Sequence, residues 1–96
     1  MNQFMEVKAK NLDTLKQFVP IVKKVHGGNH QEFHDVVIEF NKIVSKLDNN
    51  NYQLEEEFKQ LKLITNNYLV PSDVCESYQA VYEMLEELNT AYQNIG

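Results

Sequence analysis

The sequence has few residues that end helices and only one that could form a cross-link. Three Gly, two Pro and one Cys occur among its 96 residues. The single cysteine, Cys75, excludes an internal disulfide and a zinc site made of several thiolates, which favours a reducing compartment. No apolar run approaches the roughly 20 residues of a membrane span or resembles a signal peptide. We therefore expect one cytoplasmic domain over residues 1–96, because two domains would each be too small to form a core.

Basic charge is also scarce. Nine lysines and arginines stand against fourteen acidic residues, for a net charge of −5. This surplus repels nucleic-acid phosphates and anionic lipid headgroups. The sequence contains neither a glycine-rich phosphate loop nor the Ser/His/Asp order of a hydrolase. It therefore predicts a non-enzymatic protein whose partner is another protein, or a second copy in a homodimer, and neither nucleic acid nor a membrane.

What the sequence does contain is four stretches in which apolar residues recur every three or four positions, the spacing of one helix face. They run from about Phe4 to Val25, Phe33 to Leu47, Leu54 to Tyr68 and Val74 to Ile95. Short connections join them, and short connections make neighbouring helices run in opposite directions. The expected fold is all-α, an antiparallel up-down four-helix bundle.

Local signals predict where the first two helices meet. Pro20 predicts a kink or short break in the first helix, because proline removes a backbone donor and crowds the preceding turn. Gly27 and Gly28 predict a left-handed residue after its last turn. Asn29 followed by Glu32 has the spacing of a capping box, which would begin the second helix.

Three histidines, His26, His30 and His34, flank this glycine pair. His26 is expected on the last turn of the first helix, and His30 in the first turn of the second. His30 and His34 are four residues apart, a spacing that lets two imidazoles face one ion. With His26 and an acid such as Glu57 they could form an iron site. The alternative is a solvated His34 and a partly buried His30 beside Phe33.

Cys75 and the acidic runs also allow a chemical and a structural interpretation. Cys75 is expected in the first turn of the last helix, either as a thiolate favoured by the helix dipole or as a small residue buried in the bundle. Bundle di-iron sites need inward carboxylates. Most glutamates of the two runs are expected instead to border the apolar faces in solvent; the runs contain Glu55, Glu56, Glu57, Glu86 and Glu87.

Two stretches show a family resemblance. "VKKVHGGNHQEF" resembles the V-x-x-V-H-G-x-x-H-P-E-L signature of the hemerythrin-like iron-sulfur cluster repair (RIC) family of di-iron proteins. "LITNNYLVPSDVCESYQAVYEMLEEL" resembles that family's later segment. The positions in register there are Thr65, Tyr68, Pro71, Cys75, Tyr78, Tyr82 and Leu85. The resemblance implies a hemerythrin-like four-helix bundle, a role in repairing iron-sulfur clusters under stress, and an iron-ligand position at His26.

The remaining ligand positions of that family are not kept. No histidine follows His34, and Met5, Asn51 and Gln93 fall where the resemblance implies further ligands. One imidazole cannot hold two irons. The sequence therefore predicts a shortened, degenerate relative with no cofactor, in which His26 is a vestigial metal-ligand position. Its expected role is that of a small helical interaction or regulatory protein in stress response. The alternatives are an iron-binding repair or sensing protein and an unrelated helical adaptor.

Overall fold

The computed structural model describes residues 3–94 and contains four α-helices in that range. The helices are α1 (Gln3–His26), α2 (Glu32–Asp48), α3 (Glu55–Ile64) and α4 (Glu76–Gln93). No strand occurs between residues 3 and 94, which confirms the predicted all-α class. Within the same residues, no helix combines the length and the apolar character needed to cross a membrane. Ile95, which the sequence predicts on the apolar face of the fourth helix, lies outside the described residues.

Each helix buries the apolar face that its periodicity predicts. The buried apolar side chains of the four helices are Phe4, Leu12, Leu15, Val19 and Val22 in α1, Phe33, Val36, Phe40, Ile43 and Leu47 in α2, Phe58 and Leu61 in α3, and Tyr78, Val81, Tyr82, Leu85, Leu88 and Ala91 in α4. Val25 is the exception, because 64% of its surface is exposed although the pattern predicts it on the α1 face. The most extensive contacts join α1 to α4 and α2 to α3. The core is therefore shared by two helix pairs.

Pro20 does not break α1, so of the predicted kink or short break the break does not occur. The helix continues from Gln3 to His26 with the proline inside it. Proline has no N–H to donate to the carbonyl of Lys16 four residues earlier. Because Pro20 is exposed, water can hydrate that carbonyl, and Val19 and Val22 on either side of the proline keep the helix packed on the core.

The glycine turn after α1 is built differently from the prediction. Neither described glycine has a positive φ, so no left-handed glycine ends the helix. A Cβ on Gly27 would lie 2.5 Å from the Lys23 carbonyl oxygen and 2.9 Å from His34 Nε2, whereas a Cβ on Gly28 would meet nothing within 4 Å. Glycine is therefore needed at position 27, where the backbone lies close to the Lys23 carbonyl and the His34 ring. The capping box is wrong too, because α2 begins at Glu32 after Gln31 with no side-chain cap.

The turn after α3 is one place where the backbone is strained. Asn66, Asn67 and Tyr68 have φ values of 52°, 63° and 61°, a region that side chains larger than Asn seldom adopt. Thr65 supports this conformation: its Oγ1 donates to the Leu61 carbonyl at 2.7 Å and accepts from the Tyr68 N–H at 2.8 Å. This turn, and not a continuous helix, therefore carries the chain from Ile64 to Tyr68.

The start of α4 also differs from the sequence prediction. Cys75 is the residue before the first helical turn, and its backbone is extended (φ −82°, ψ 173°). No side chain, including Ser72 and Asp73, caps this end of the helix. Cys75 is exposed, so the prediction of a small buried residue is wrong.

At the other end of α4, Tyr92 forms hydrogen bonds with the connection between α2 and α3. Its hydroxyl donates to the Tyr52 carbonyl at 2.8 Å and accepts from the Leu54 N–H at 2.9 Å. Its ring meets Phe4 edge-on, with ring centroids 5.5 Å apart. One side chain thus joins α1, α4 and the loop before α3.

The close approach at Gly27 gives a direct test of this turn. We expect Gly27→Ala to lower the free energy of unfolding by about 1–3 kcal/mol, since the added methyl group must displace backbone or the His34 ring. Gly28→Ala is the matched control and should be neutral or stabilising by up to about 1 kcal/mol, because its Cβ meets open space. Urea unfolding followed by circular dichroism measures both. Equal losses would contradict the steric role assigned to Gly27.

Candidate functional site

The α1–α2 turn places the three histidines in three different surroundings. The His26 carbonyl accepts from the His30 N–H at 2.8 Å, so the turn is tight. His34 Nε2 donates back to the Gly27 carbonyl at 3.2 Å. His34 is exposed, and His30 is partly buried, as the structural interpretation of the sequence predicted. The hydrogen bond of His34 is directed to the turn, away from the other two imidazoles.

His26 is paired with Cys75. The Nε2 atom of His26 lies 3.1 Å from Cys75 Sγ, a contact between residues 49 positions apart. His26 is the last residue of α1, as predicted, and Cys75 directly precedes α4. The pair therefore joins the end of one helix to the beginning of another at the surface of the protein.

His30 is held between two carboxylates. Its Nδ1 lies 3.0 Å from Glu32 Oε2, and its Nε2 lies 3.1 Å from Asp73 Oδ1. Carboxylates only accept, so both nitrogens donate at once when the imidazole is protonated. The His30 side chain is 13% exposed, while that of Asp73 is 67% exposed. This bridge ties the α1–α2 turn to the loop before α4.

Tyr78 lies beneath His26, which is paired with Cys75, and beneath His30, which is held by two carboxylates. Its ring centroid is 5.4 Å from those of His26 and His30 and 5.2 Å from that of Phe33. Its hydroxyl donates to Glu32 Oε2 at 3.3 Å and lies 3.0 Å from the Tyr82 hydroxyl. The polar groups of the turn therefore continue into the buried interior of the bundle through this one side chain.

Burial perturbs the ionisation of these tyrosines. It raises the pKa of Tyr78 above its ordinary value, and the Tyr82 hydroxyl and the negative charge of Glu32 raise it further. Burial likewise raises the pKa of Tyr82. Burial raises the pKa of Tyr68 to about 12, against an Asn89 hydrogen bond that favours the charged form. The hydroxyls therefore stay protonated at neutral pH and serve as hydrogen-bonding groups.

The acids of the sequence lie elsewhere. Glu57 is buried and is paired with Lys46 at 2.9 Å, so it is not one of the glutamates that border an apolar face in solvent. Glu55, Glu56, Glu86 and Glu87 are exposed, as predicted. The buried pair Glu57–Lys46 belongs to the α2–α3 connection, where Lys46 Nζ also donates to the Gln53 carbonyl at 2.9 Å. Its carboxylate is neutralised by the lysine and is not directed towards the histidines.

The positions that the resemblance assigns to further ligands also lie apart from His26. Gln93 is the last residue of α4, about 27 Å along the helix from Cys75 at a rise of about 1.5 Å per residue. Its side chain bonds Asn89 at 3.3 Å. Asn51 Oδ1 accepts from the Gln53 N–H in the α2–α3 loop, and Met5 lines a surface depression on α1.

No three His, Cys, Asp or Glu side chains of residues 3–94 form a group that could hold a metal ion. The described residues of one chain therefore do not assemble the alternative site of His26, His30, His34 and Glu57. The structure provides one pair, His26 with Cys75, and one group of three, in which His30 lies between Glu32 and Asp73. What this arrangement does chemically is cross-link the turn to the start of α4 through hydrogen bonds.

The sequence interpretation missed several members of this network. The i, i+4 spacing of Tyr78 and Tyr82 places two hydroxyls on one helix face, which was a usable signal. Glu32 and Asp73 gave no such signal, because their contact with His30 depends on how the turn and the loop before α4 meet. Tyr78 and Tyr82 are fully buried.

The fold and this network define the class of the protein as a helical protein whose polar junction joins α1, α2 and α4. Comparisons of the chain with protein-family models, with curated proteins and with solved structures find no match. The function is accordingly inferred from the chain's own side chains.

Removing one hydroxyl tests the junction. Tyr78→Phe deletes the donor to Glu32 and leaves the buried Tyr82 hydroxyl without its partner. We expect the free energy of unfolding to fall by about 1–3 kcal/mol. Tyr52→Phe is the matched control, because Tyr52 is 38% exposed. Its free energy of unfolding should fall by less than about 0.5 kcal/mol. Urea unfolding measures both, and a neutral Tyr78→Phe would show that the junction does not depend on the hydroxyl.

High pH should destabilise the protein through the same residues. An unfolded tyrosine ionises near pH 10, and folded Tyr68 ionises at about 12. Between these values the native state keeps a proton that the unfolded state loses, so stability is complete below pH 10 and falls as the pH rises. The slope should reach about 1.4 kcal/mol per pH unit for each such tyrosine. Unfolding free energies at increasing pH measure it.

Substitution identifies the groups responsible for that slope. Tyr68→Phe should make the alkaline loss of stability shallower, because one of the titrating hydroxyls is gone. A slope that survives both Tyr68→Phe and Tyr78→Phe would assign the alkaline transition to other groups.

Proposed function

We propose that the chain is a degenerate hemerythrin-like protein of the iron-sulfur cluster repair type, which has lost its di-iron centre and acts as a small helical interaction or regulatory protein in stress response. In this proposal it is a cytoplasmic protein and not an enzyme, and its partner is another protein.

The contacts at the two ends of α1 support an antiparallel, hemerythrin-like arrangement. Phe4, near the start of α1, packs against Tyr92, near the end of α4. His26, at the end of α1, meets Cys75 and Tyr78 at the start of α4. The connection between α1 and α2 is also short, spanning residues 27–31, and short connections favour opposed neighbours.

The observation that carries the proposal is what surrounds His26. In a bundle di-iron site, carboxylates and histidines from facing helices project inward to the metals. Here the inward neighbour of His26 and His30 is the ring of Tyr78, backed by Phe33 and Tyr82. Aromatic rings fill the interior beside the one matching ligand position. Binding two irons there would require the displacement of buried rings, which costs several kcal/mol each.

A role as an interaction protein follows from what remains. The residues that match the family motif maintain the turn and the core: Gly27 allows the close approach of His34, Thr65 supports the strained turn, and Tyr78 joins the polar junction. Such a chain keeps the fold but has other residues at the metal-ligand positions, so we infer that it acts by binding partners through its surface. Its net negative charge favours protein partners over nucleic acid.

Metal content tests the loss of the di-iron centre. We expect protein purified from iron-replete cells, and then titrated anaerobically with ferrous iron, to bind far less than one iron per chain and to show no oxo-bridged absorption. His26→Ala should behave like the parent protein. About two irons per chain with an oxo-bridged spectrum, the stoichiometry of a bundle di-iron site, would overturn the proposal.

The connection to cluster repair has a separate test. The tagged full chain is used to recover partners from cells under nitrosative stress, with an unrelated helical protein of similar charge as the control. Recovery of iron-sulfur proteins or of a full-length repair protein is the expected result. Reproducible recovery of proteins from another pathway alone would make the chain a helical adaptor without a repair role.

A further inference from the structure

A groove of about 290 Å³ lies on the surface between α1 and α2. Its floor is apolar and is formed by Val19 and Phe40, which are buried in the core. Its sides are Val37 and Val44, both half-buried, and the exposed ring of Pro20. The groove is therefore an extension of the core to the surface, open to a further apolar side chain.

Two lysines of α1, Lys16 and Lys23, also line this groove. They are seven residues apart, which places them about 10 Å from each other along the same side of the helix. Lys10, Lys42 and Lys46 are each paired with a glutamate. Within the described part of the chain Lys16 and Lys23 have no ion pair or side-chain hydrogen bond. Two unneutralised positive charges thus border an apolar cleft.

The other polar groups near the groove leave this positive character in place. Asn41 of α2 lines the opposite wall and is uncharged. Asp13 and Asp48 each lie about one helical turn beyond the lining residues of their own helix, and neither is paired with a lysine of the groove. His34 lies one turn before Val37 and is bonded to Gly27. An incoming group beside Lys16 and Lys23 therefore meets positive charge.

The charge of the groove stands out against that of the rest of the chain. The α1 helix carries five lysines and two carboxylates, whereas α4 carries four glutamates and no lysine. A basic, partly apolar groove on a protein of net charge −5 is a local reversal of sign. Charge complementarity favours an acidic partner at this place.

We propose that the groove between α1 and α2 binds an acidic amphipathic helix of a partner protein. Its apolar side chains, spaced three or four residues apart, would contact Pro20, Val37 and Val44, and carboxylates about seven residues apart would pair with Lys16 and Lys23. A helix fits because it presents residues i and i+7 on one side, which matches the spacing of the two lysines. This inference rests on the proposed function as an interaction protein and names the chemistry of the partner.

A second copy of this chain fits the groove less well. The outer side of α4 is acidic, but its exposed positions Gln79, Glu83 and Glu86 offer no apolar side chain. On α3, Leu63 is 67% exposed, but Lys59 and Lys62 lie next to it, and they would face the groove lysines. Exposed α4 therefore lacks apolar anchors, and α3, which has Glu55 and Glu56 besides Leu63, would bring two lysines towards the groove lysines.

Synthetic peptides test the binding chemistry. The probe is a lactam-stabilised helix of about 14 residues, or about four turns, with leucines on one face and glutamates beside them; its control has lysine at each glutamate position. Fluorescence anisotropy should give a dissociation constant on the order of 10–100 μM for the acidic peptide, since the contact is small. The basic peptide should bind at least about tenfold more weakly. Equal binding of both peptides, or binding of neither, would overturn the inference.

Charge reversal tests the location. Lys16→Glu with Lys23→Glu should weaken binding of the acidic peptide by about tenfold or more. Lys59→Glu with Lys62→Glu is the matched control, because it changes the net charge equally and also alters the last turn of a helix. It should change binding by less than about twofold. Equal losses would mean that overall charge and not the groove determines binding, and the inference would be wrong.

Further measurements keep the outcome decisive. Circular dichroism checks that each variant is folded, and Lys16→Gln with Lys23→Gln replaces the double reversal if that variant is not. Methyl NMR shifts on peptide addition should centre on Val19, Val37 and Val44; shifts confined to α3 or α4 would contradict the location. A dimer of the free chain that Lys16→Glu dissolves would make a second copy the occupant and overturn the partner assigned here.

The two proposals fail separately. A di-iron spectrum of the purified chain would overturn the proposed loss of the metal centre and would leave the peptide result intact. A groove that binds no acidic helix would overturn the present inference, while the iron content of the protein would stay as proposed.

Discussion

The hydroxyl of Tyr78 is the interaction on which the joint between the two helix pairs depends. It bonds Glu32 at the start of α2 and Tyr82 one turn further along α4, while the ring beneath it supports His26 and His30. A buried hydroxyl is stabilising only when it is paired, since an unpaired one keeps the full cost of its lost hydration. The turn, the start of α2 and the start of α4 therefore have to meet in one geometry for this side chain to be buried at all.

That constraint explains why the histidines are bound to their neighbours. A ring nitrogen that is hydrogen-bonded to a thiol, a carboxylate or a carbonyl is already occupied. His26, His30 and His34 each have a ring nitrogen with such a partner. Aromatic burial and metal coordination compete for the same interior, because a metal site needs inward polar ligands where this bundle has rings. The rings that stabilise the junction therefore fill the space beside His26 that inward metal ligands would need.

The four helices were predictable because burial of one helix face is encoded by neighbours three and four residues apart. Contacts set by tertiary structure were not. Gly27 looked like a left-handed helix end, but its role is to let His34 approach the backbone, which depends on how α2 leaves the turn. Cys75 was expected as a dipole-favoured thiolate or as a buried small residue, and it is exposed beside His26, 49 residues away. Glu57 lies in a run whose glutamates were mostly expected in solvent, and its pairing with Lys46 offsets the cost of its burial.

The charge pattern connects this architecture to function. Lysines concentrate on α1 and carboxylates on α4, and these two helices form the most extensive contact in the protein. Only Lys10 of α1 reaches a glutamate of α4, so most of the lysine charge of α1 is not neutralised from within. Lys16 and Lys23 lie on the side of α1 that faces α2, where Pro20 also leaves a backbone carbonyl without its helical donor. Unneutralised positive charge beside an open apolar cleft favours association with an acidic helix.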